Sequence, residues 1–86
     1  MNSAKILVVD DERIVCAGCK KILDEAGYQV KTTLSAKNAL EMLKEEPFDI
    51  VITDIKMPEL SGIELLEIIR RDHPKITVIV LSLIHI

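Results

Sequence analysis

Two short apolar segments of this chain end in aspartate, and these carboxylates are the residues best suited to do chemistry. Residues 5–9 are followed by Asp10 and Asp11, and residues 48–53 are followed by Asp54. Both segments are rich in β-branched residues, which is typical of strands buried on both faces of a parallel sheet. In an open α/β sheet, ligands bind beyond the carboxyl ends of the strands, where these aspartates stand.

If the two strands are neighbours, the three carboxylates meet at one edge of the sheet. Carboxylates crowded together repel one another unless they are protonated or bridged by a cation. Mg²⁺ prefers such oxygen ligands and also accepts phosphate oxygens. A carboxylate beside Mg²⁺ can attack a phosphoryl group and form an aspartyl phosphate. Taken alone, Asp54 is equally well explained as a strand-end residue that caps a turn.

Predicted strands and helices alternate along the chain and hold these aspartates in place. We predict strands at 5–9, 28–33, 48–54 and 77–81, separated by amphipathic helices. Short connections between alternating strands and helices predict an α/β doubly wound parallel sheet with right-handed crossovers.

The helix boundaries follow from individual residues. The first helix spans 12–26 and is ended by Gly27, whereas Ser35 and Ser61 are predicted to cap the second and third helices. Helical spacing predicts that the core-facing residues of the first helix are Val15, Cys19, Ile22, Leu23 and Ala26.

Together these features resemble the receiver domain of two-component response regulators. The resemblance is carried by Asp10-Asp11 after the first strand, Asp54 at the end of the third, Lys56-Met57-Pro58, and Gly62. It covers residues 4 to about 80 and implies a flavodoxin-like topology with the first strand central and the third beside it. We therefore predict a partial receiver domain at 4–82 with four strands and three helices.

The resemblance also implies residue roles. Asp54 would be the phosphoacceptor, with Mg²⁺ as the cofactor. Asp11 would bind the metal directly, Asp10 mainly through water, and Lys56 through its backbone carbonyl. The domain would accept a phosphoryl group from a sensor histidine kinase or a phosphotransfer domain and signal to a downstream output domain or protein. It would catalyse only its own phosphotransfer and dephosphorylation, so it is expected to be a signalling switch and not an enzyme.

Other readings of the sequence stay open. One is a non-phosphorylated pseudo-receiver that acts as a protein-interaction module or an inactive fragment, although the three aspartates argue against it. Another is a Mg²⁺-dependent phosphohydrolase with an aspartyl nucleophile. Such an enzyme requires an acidic residue at position 56, and Lys56 argues against it. Cys16 and Cys19 form a C-x-x-C motif inside a helix, without two further ligands nearby. We interpret them as core or surface thiols, and not as a redox pair or a zinc site.

Composition narrows the function classes further. The chain has 11 basic and 14 acidic residues, a net charge of −3, which argues against direct nucleic-acid binding. Its apolar runs fall short of the roughly 18–20 residues that a membrane span needs, and the amino terminus has no signal-peptide pattern. We expect a cytoplasmic protein with no membrane partner.

The carboxyl-terminal segment departs from the family pattern. Ser82 lies where the family has a hydroxyl that contacts the phosphoryl group, but Leu83 is large, and the family's fifth strand and last two helices do not follow. We therefore expect a fragment with an uncovered apolar edge strand. Residues 81–86 also match one translation of a transposon end used in sequencing libraries, so 83–86 are interpreted as a non-family tail. The alternative is a native variant, and the source DNA distinguishes the two.

Overall fold

The computed structural model describes residues 4–57 and 59–81. Strands and helices alternate as predicted, and the first helix is one residue shorter at each end than expected. The bounds are β1 (Lys5–Val9), α1 (Arg13–Glu25), β2 (Gln29–Thr33), α2 (Ala36–Glu45), β3 (Ile50–Asp54), α3 (Gly62–Asp72) and β4 (Thr77–Leu81). Ser82, predicted to contact the phosphoryl group, and the tail at 83–86 lie outside the described residues.

The four strands form one parallel sheet in the order β2-β1-β3-β4. Strand β1 is therefore central and has β3 beside it, as the crowding of aspartates requires. Val9 pairs with Thr53 at the end of the β1–β3 ladder. The next residue on each strand is an aspartate, so the register brings Asp10 level with Asp54.

Helices cover both faces of this sheet, because alternate residues of a strand point to opposite sides. On one face, α2 and α3 pack on β1 and β3 to form a core that includes Leu7, Val51, Leu65 and Ile69. On the other face, α1 packs on β1 and β2, and Cys16 joins Ile6, Val8 and Val30 in a second core. The predicted doubly wound α/β architecture is confirmed.

Three predicted helix boundaries are found in the structure. Ser35 Oγ accepts a hydrogen bond from the Asn38 N–H at 3.3 Å, and Ser61 Oγ accepts one from the Glu64 N–H at 3.1 Å. Each serine thus satisfies a backbone donor in the first turn of its helix. Gly27 ends α1 with a positive φ of 98°, a conformation that glycine adopts without steric cost.

The α1 face of the sheet is only partly covered in the described residues. Ile79 and Leu81 on β4 are 43% and 36% exposed, which agrees with the expected apolar edge strand. Ile22 and Ala26 were predicted to face the core, but Ile22 is 67% exposed and Ala26 is exposed as well. The reason is that α1 packs over β1 and β2 with the side that carries Cys16, which lies about a third of a turn around the helix from Ile22.

None of the helices in residues 4–57 and 59–81 combines the length and the apolar character that crossing a membrane requires.

Candidate functional site

The three aspartates singled out by the sequence come together at the carboxyl end of the sheet. One carboxylate oxygen from each of Asp10, Asp11 and Asp54 lies within 4.8 Å of the other two. Asp10 is buried, Asp54 is half-buried and Asp11 is exposed. The predicted clustering is therefore observed, and it follows from the adjacency of β1 and β3.

The position of Asp10 is fixed by its own backbone and side chain. Its N–H donates to the Thr33 carbonyl at 3.1 Å, which extends the β1–β2 pairing past the end of the strand. Its Oδ1 accepts from the Glu12 N–H at 2.9 Å, so the carboxylate is held against the turn that leads into α1. Asp11 lies between these two anchored residues and projects its carboxylate from a constrained segment.

Electrostatics make this carboxylate cluster costly. Burial raises the pKa of Asp10 above its ordinary value, and the nearby carboxylates of Asp54, Asp11 and Glu12 raise that pKa further. The hydrogen bond from the Glu12 N–H lowers the pKa but does not cancel these effects. The site therefore favours a proton or a cation, and a divalent cation placed among the three carboxylates would reduce their mutual repulsion.

Asp54 is held by short-range contacts at the end of β3. The Ile55 N–H donates to Asp54 Oδ1 at 2.9 Å. The hydroxyl of Thr53, a fully buried residue, donates to the Asp54 carbonyl at 3.1 Å. Thr53 is therefore part of the buried strand that supports Asp54.

Gly62 closes the loop that follows Asp54. Its N–H donates to the Ile55 carbonyl at 2.8 Å. A Cβ at this position would overlap the Asp54 carbonyl oxygen and lie 2.9 Å from the carbonyl carbon. The sequence identified Gly62 only through the motif, whereas the structure gives the steric reason: the first turn of α3 lies directly against the backbone of Asp54.

Lys56 lies two residues after Asp54, in the loop that Gly62 closes, and it is exposed. Its assigned role as a backbone-carbonyl ligand stays a prediction. Farther along this loop, Glu59 adopts a positive φ of 69° and its carboxylate lies 3.1 Å from the ammonium of Lys37 at the start of α2. This exposed ion pair links the loop to α2, and pairs of this kind add little stability.

The two cysteines are free thiols within α1. Cys16 is buried and Cys19 is half-buried, which agrees with their interpretation as core thiols. Burial, and next the carboxylate of Asp10, raises the pKa of the Cys16 thiol, so the unreactive protonated form predominates at neutral pH. The sequence missed one contact: Cys16 Sγ donates to the Asp10 carbonyl at 3.4 Å.

The chemistry of the donor set identifies the cation that fits. The cluster offers carboxylate oxygens from Asp10, Asp11 and Asp54 without a histidine or cysteine ligand in its described set. Hard oxygen donors suit Mg²⁺, which uses few protein carboxylates and keeps coordination positions for water and phosphate oxygens. The half-exposed arrangement leaves the cluster open to such ligands. The residues present therefore fit a Mg²⁺ site.

Comparison with known proteins places this geometry in a family. The family model for the response regulator receiver domain matches residues 6–85. The chain is 38% identical over 81 residues to the transcriptional regulatory protein ZraR of Escherichia coli, covering 94% of this chain and 18% of that protein. The matched segment is therefore less than a fifth of that relative's length.

Solved structures show the same fold. A response regulator receiver domain protein from Clostridium thermocellum matches with a TM-score of 0.85 and 40% identity, covering 90% of this chain and 63% of that one. The Vibrio cholerae chemotaxis protein CheY4 matches with a TM-score of 0.91 and 28% identity, covering 99% of this chain and 72% of that one.

Proposed function

Because the chain belongs to the response regulator receiver domain family, we propose that it is a phosphorylation-dependent signalling switch whose phosphoacceptor is Asp54. The observation that carries this proposal is the cluster of Asp10, Asp11 and Asp54, with oxygens within 4.8 Å of one another at the end of a central strand. A strand-end aspartate that only capped a turn would not require two further carboxylates beside it.

We assign each carboxylate a separate role. Asp11, Asp54 and the backbone carbonyl of Lys56 would hold Mg²⁺, and Asp10 would contribute mainly through a bound water. When bound, the ion would offset most of the negative charge of the cluster and provide coordination positions for phosphoryl oxygens. The crowding of the three carboxylates within 4.8 Å supports this assignment, and the carboxylates of Asp54, Asp11 and Glu12 add to the effect of burial in raising the pKa of Asp10.

The Asp54 side chain supplies the nucleophile. Its Oδ1 accepts the Ile55 N–H at 2.9 Å, and we assign the attack on phosphorus to Oδ2. A bond forms between Oδ2 and phosphorus while the bond from phosphorus to the donor breaks, and the donor leaves with the bonding electrons. With a phosphohistidine donor, the leaving group is an imidazole that takes up a proton. The product is an acyl phosphate on Asp54.

The partners follow from this chemistry. A phosphohistidine on a sensor histidine kinase or a phosphotransfer domain is the proposed donor. ZraR is by its name a transcriptional regulatory protein, and this chain spans 18% of its length. We propose that phosphorylation likewise changes how this receiver contacts an output domain or a downstream protein.

The proposal is tested by incubating the protein with acetyl phosphate and Mg²⁺ and measuring its intact mass. We expect the mass to rise by one phosphoryl group, the gain to disappear with EDTA, and hydroxylamine to remove it, because acyl phosphates are labile to that nucleophile. An unchanged mass under these conditions, with Mg²⁺ bound, would instead support the pseudo-receiver reading. A gain that resists hydroxylamine would place the phosphoryl group on a hydroxyl.

A further inference from the structure

The contact between Cys16 and the acidic cluster has no part in the proposed chemistry, yet it reaches the backbone of a proposed metal site. Cys16 is 5% exposed. Its Sγ lies 3.4 Å from the Asp10 carbonyl oxygen and 3.7 Å from the Thr33 carbonyl oxygen. Both distances fall within the range for a thiol donor, so the S–H group can donate to either of two carbonyls at the ends of adjacent strands.

The Asp10 carbonyl matters because of the peptide bond to which it belongs. A peptide unit is planar, so the Asp10 C=O and the Asp11 N–H lie in one plane. Holding the carbonyl therefore fixes the plane from which the Asp11 backbone continues. Asp11 is exposed, so its side chain has little packing of its own to direct it.

The thiol itself is firmly placed. The Cys16 N–H donates to the Glu12 carbonyl at 3.2 Å in the first turn of α1. Its side chain packs in the second core with Ile6, Val8 and Val30. The Thr33 carbonyl that it contacts also accepts the Asp10 N–H at 3.1 Å. Cys16 thus joins the helix to the point where β1 and β2 end.

We propose that Cys16 is a positioning residue: its thiol holds the Asp10–Asp11 peptide in the orientation that directs the Asp11 carboxylate into the cluster. The inference rests on the proposed Mg²⁺ site and adds a requirement to it. A buried cysteine usually behaves as a small apolar residue with a weak donor. Here the donor, and not only the volume, is what the site uses.

Two substitutions separate the donor from the volume. Cys16→Ser keeps a hydrogen-bond donor but reduces the apolar volume, whereas Cys16→Val keeps an apolar side chain and removes the donor. If Cys16 served packing alone, valine would be the better replacement by every measurement. If it positions Asp11, serine is better for Mg²⁺ binding even where it is worse for thermal stability.

The experiment measures the Mg²⁺ dissociation constant by calorimetry and the melting temperature without Mg²⁺, for the wild type and each variant. We expect Cys16→Val to weaken Mg²⁺ binding about three- to tenfold, the scale of one hydrogen bond, and Cys16→Ser to stay within about twofold of the wild type. Cys19→Val, one turn along α1 and packed against the same core, is the matched control and should leave the affinity unchanged.

Each outcome decides the proposal. Wild-type affinity in Cys16→Val, or an equal loss in Cys16→Ser and Cys16→Val, overturns the positioning role and leaves the metal site intact. A wild-type protein that does not bind Mg²⁺ overturns the proposed function, and this inference with it. If the valine variant does not fold, Cys16→Ala replaces it, because alanine also lacks the donor and fits the space; an unchanged affinity there overturns the role equally.

Discussion

The charged side chains at the two ends of the central strands are arranged in opposite ways. At the amino end, the Lys5 ammonium pairs with Glu46 and lies 5.0 Å from the centre of the Phe48 ring. Lys31 reaches the other oxygen of Glu46 at 2.8 Å, and the Lys5 N–H donates to Asp49 at 2.7 Å. At the carboxyl end, three carboxylates face one another. Opposite charges are paired at the amino end, whereas like charges lie together at the carboxyl end.

The pKa values report the same contrast. Hydrogen bonds from Lys31 and Lys5 hold the pKa of Glu46 below its ordinary value, whereas burial and neighbouring carboxylates raise that of Asp10. Ionisation therefore stabilises the fold at the amino end and opposes it at the carboxyl end. The charges at the amino end therefore stabilise the fold, whereas those at the carboxyl end oppose it, as expected if the proposed function is right and that end binds a cation.

Among the substitutions considered, Gly62→Ala should have the largest effect on the stability of the carboxyl end. The added Cβ overlaps the Asp54 carbonyl oxygen, so α3 and the end of β3 must separate at the carboxyl end only. We expect a loss of about 3 kcal/mol, at the upper end of overpacking costs, measured by urea unfolding. Gly18→Ala is the matched control, since nothing lies within 4 Å of a Cβ there. It should stabilise the helix by roughly 0.5–1 kcal/mol. Equal effects of the two changes would contradict the steric role of Gly62.

Removing one charge from the cluster should separate stability from binding. We expect Asp10→Asn and Asp11→Asn to leave the metal-free protein equally or more stable, because each relieves repulsion. The asparagine at position 10 retains an oxygen to accept the Glu12 N–H. Mg²⁺ affinity should fall about tenfold or more. Thermal melts with and without Mg²⁺ measure both effects, and a clearly destabilised metal-free protein in both variants would make these acids structural.

The free energy of unfolding should also depend on pH in different ways at the two ends. Asp10 has a raised folded pKa, so its ionisation destabilises the metal-free fold at neutral pH, and this penalty disappears as pH falls below the ordinary value of 3.8. The stability gained by Asp10→Asn should therefore be largest near neutral pH and approach zero in acid. Urea unfolding from pH 3 to 7 without Mg²⁺ measures this difference.

Glu46→Gln is the counterpart at the amino end. The folded pKa of Glu46 is lowered, so its stabilisation is present above the ordinary value of 4.5 and is lost as pH falls through the folded pKa. The variant should be less stable than the wild type near neutral pH, and the difference should vanish in acid. The effect should be small, because pairs open to solvent contribute little. If the two variants shifted stability in the same direction, the contrast between the ends would be wrong.

The sheet and its acidic edge could be predicted because they depend on local pattern. Two β-branched segments that end in aspartate, joined through helices, become parallel strands whose carboxyl ends meet. The exposure of Ile22 could not be predicted, because α1 carries apolar residues on more than one side and helical spacing does not say which side meets the sheet. The Cys16 contact and the close approach of Gly62 to the backbone of Asp54 could not be predicted either, because each depends on how separate elements pack against one another.

Asp54→Asn tests whether Asp54 accepts the phosphoryl group. Asp49→Asn is the matched control, because it removes a carboxylate from the other end of the same strand region, where Asp49 accepts the Lys5 N–H. After incubation with acetyl phosphate and Mg²⁺, intact mass should show one added phosphoryl group on the wild type and on Asp49→Asn, and none on Asp54→Asn. Undiminished labelling of Asp54→Asn would contradict the assignment.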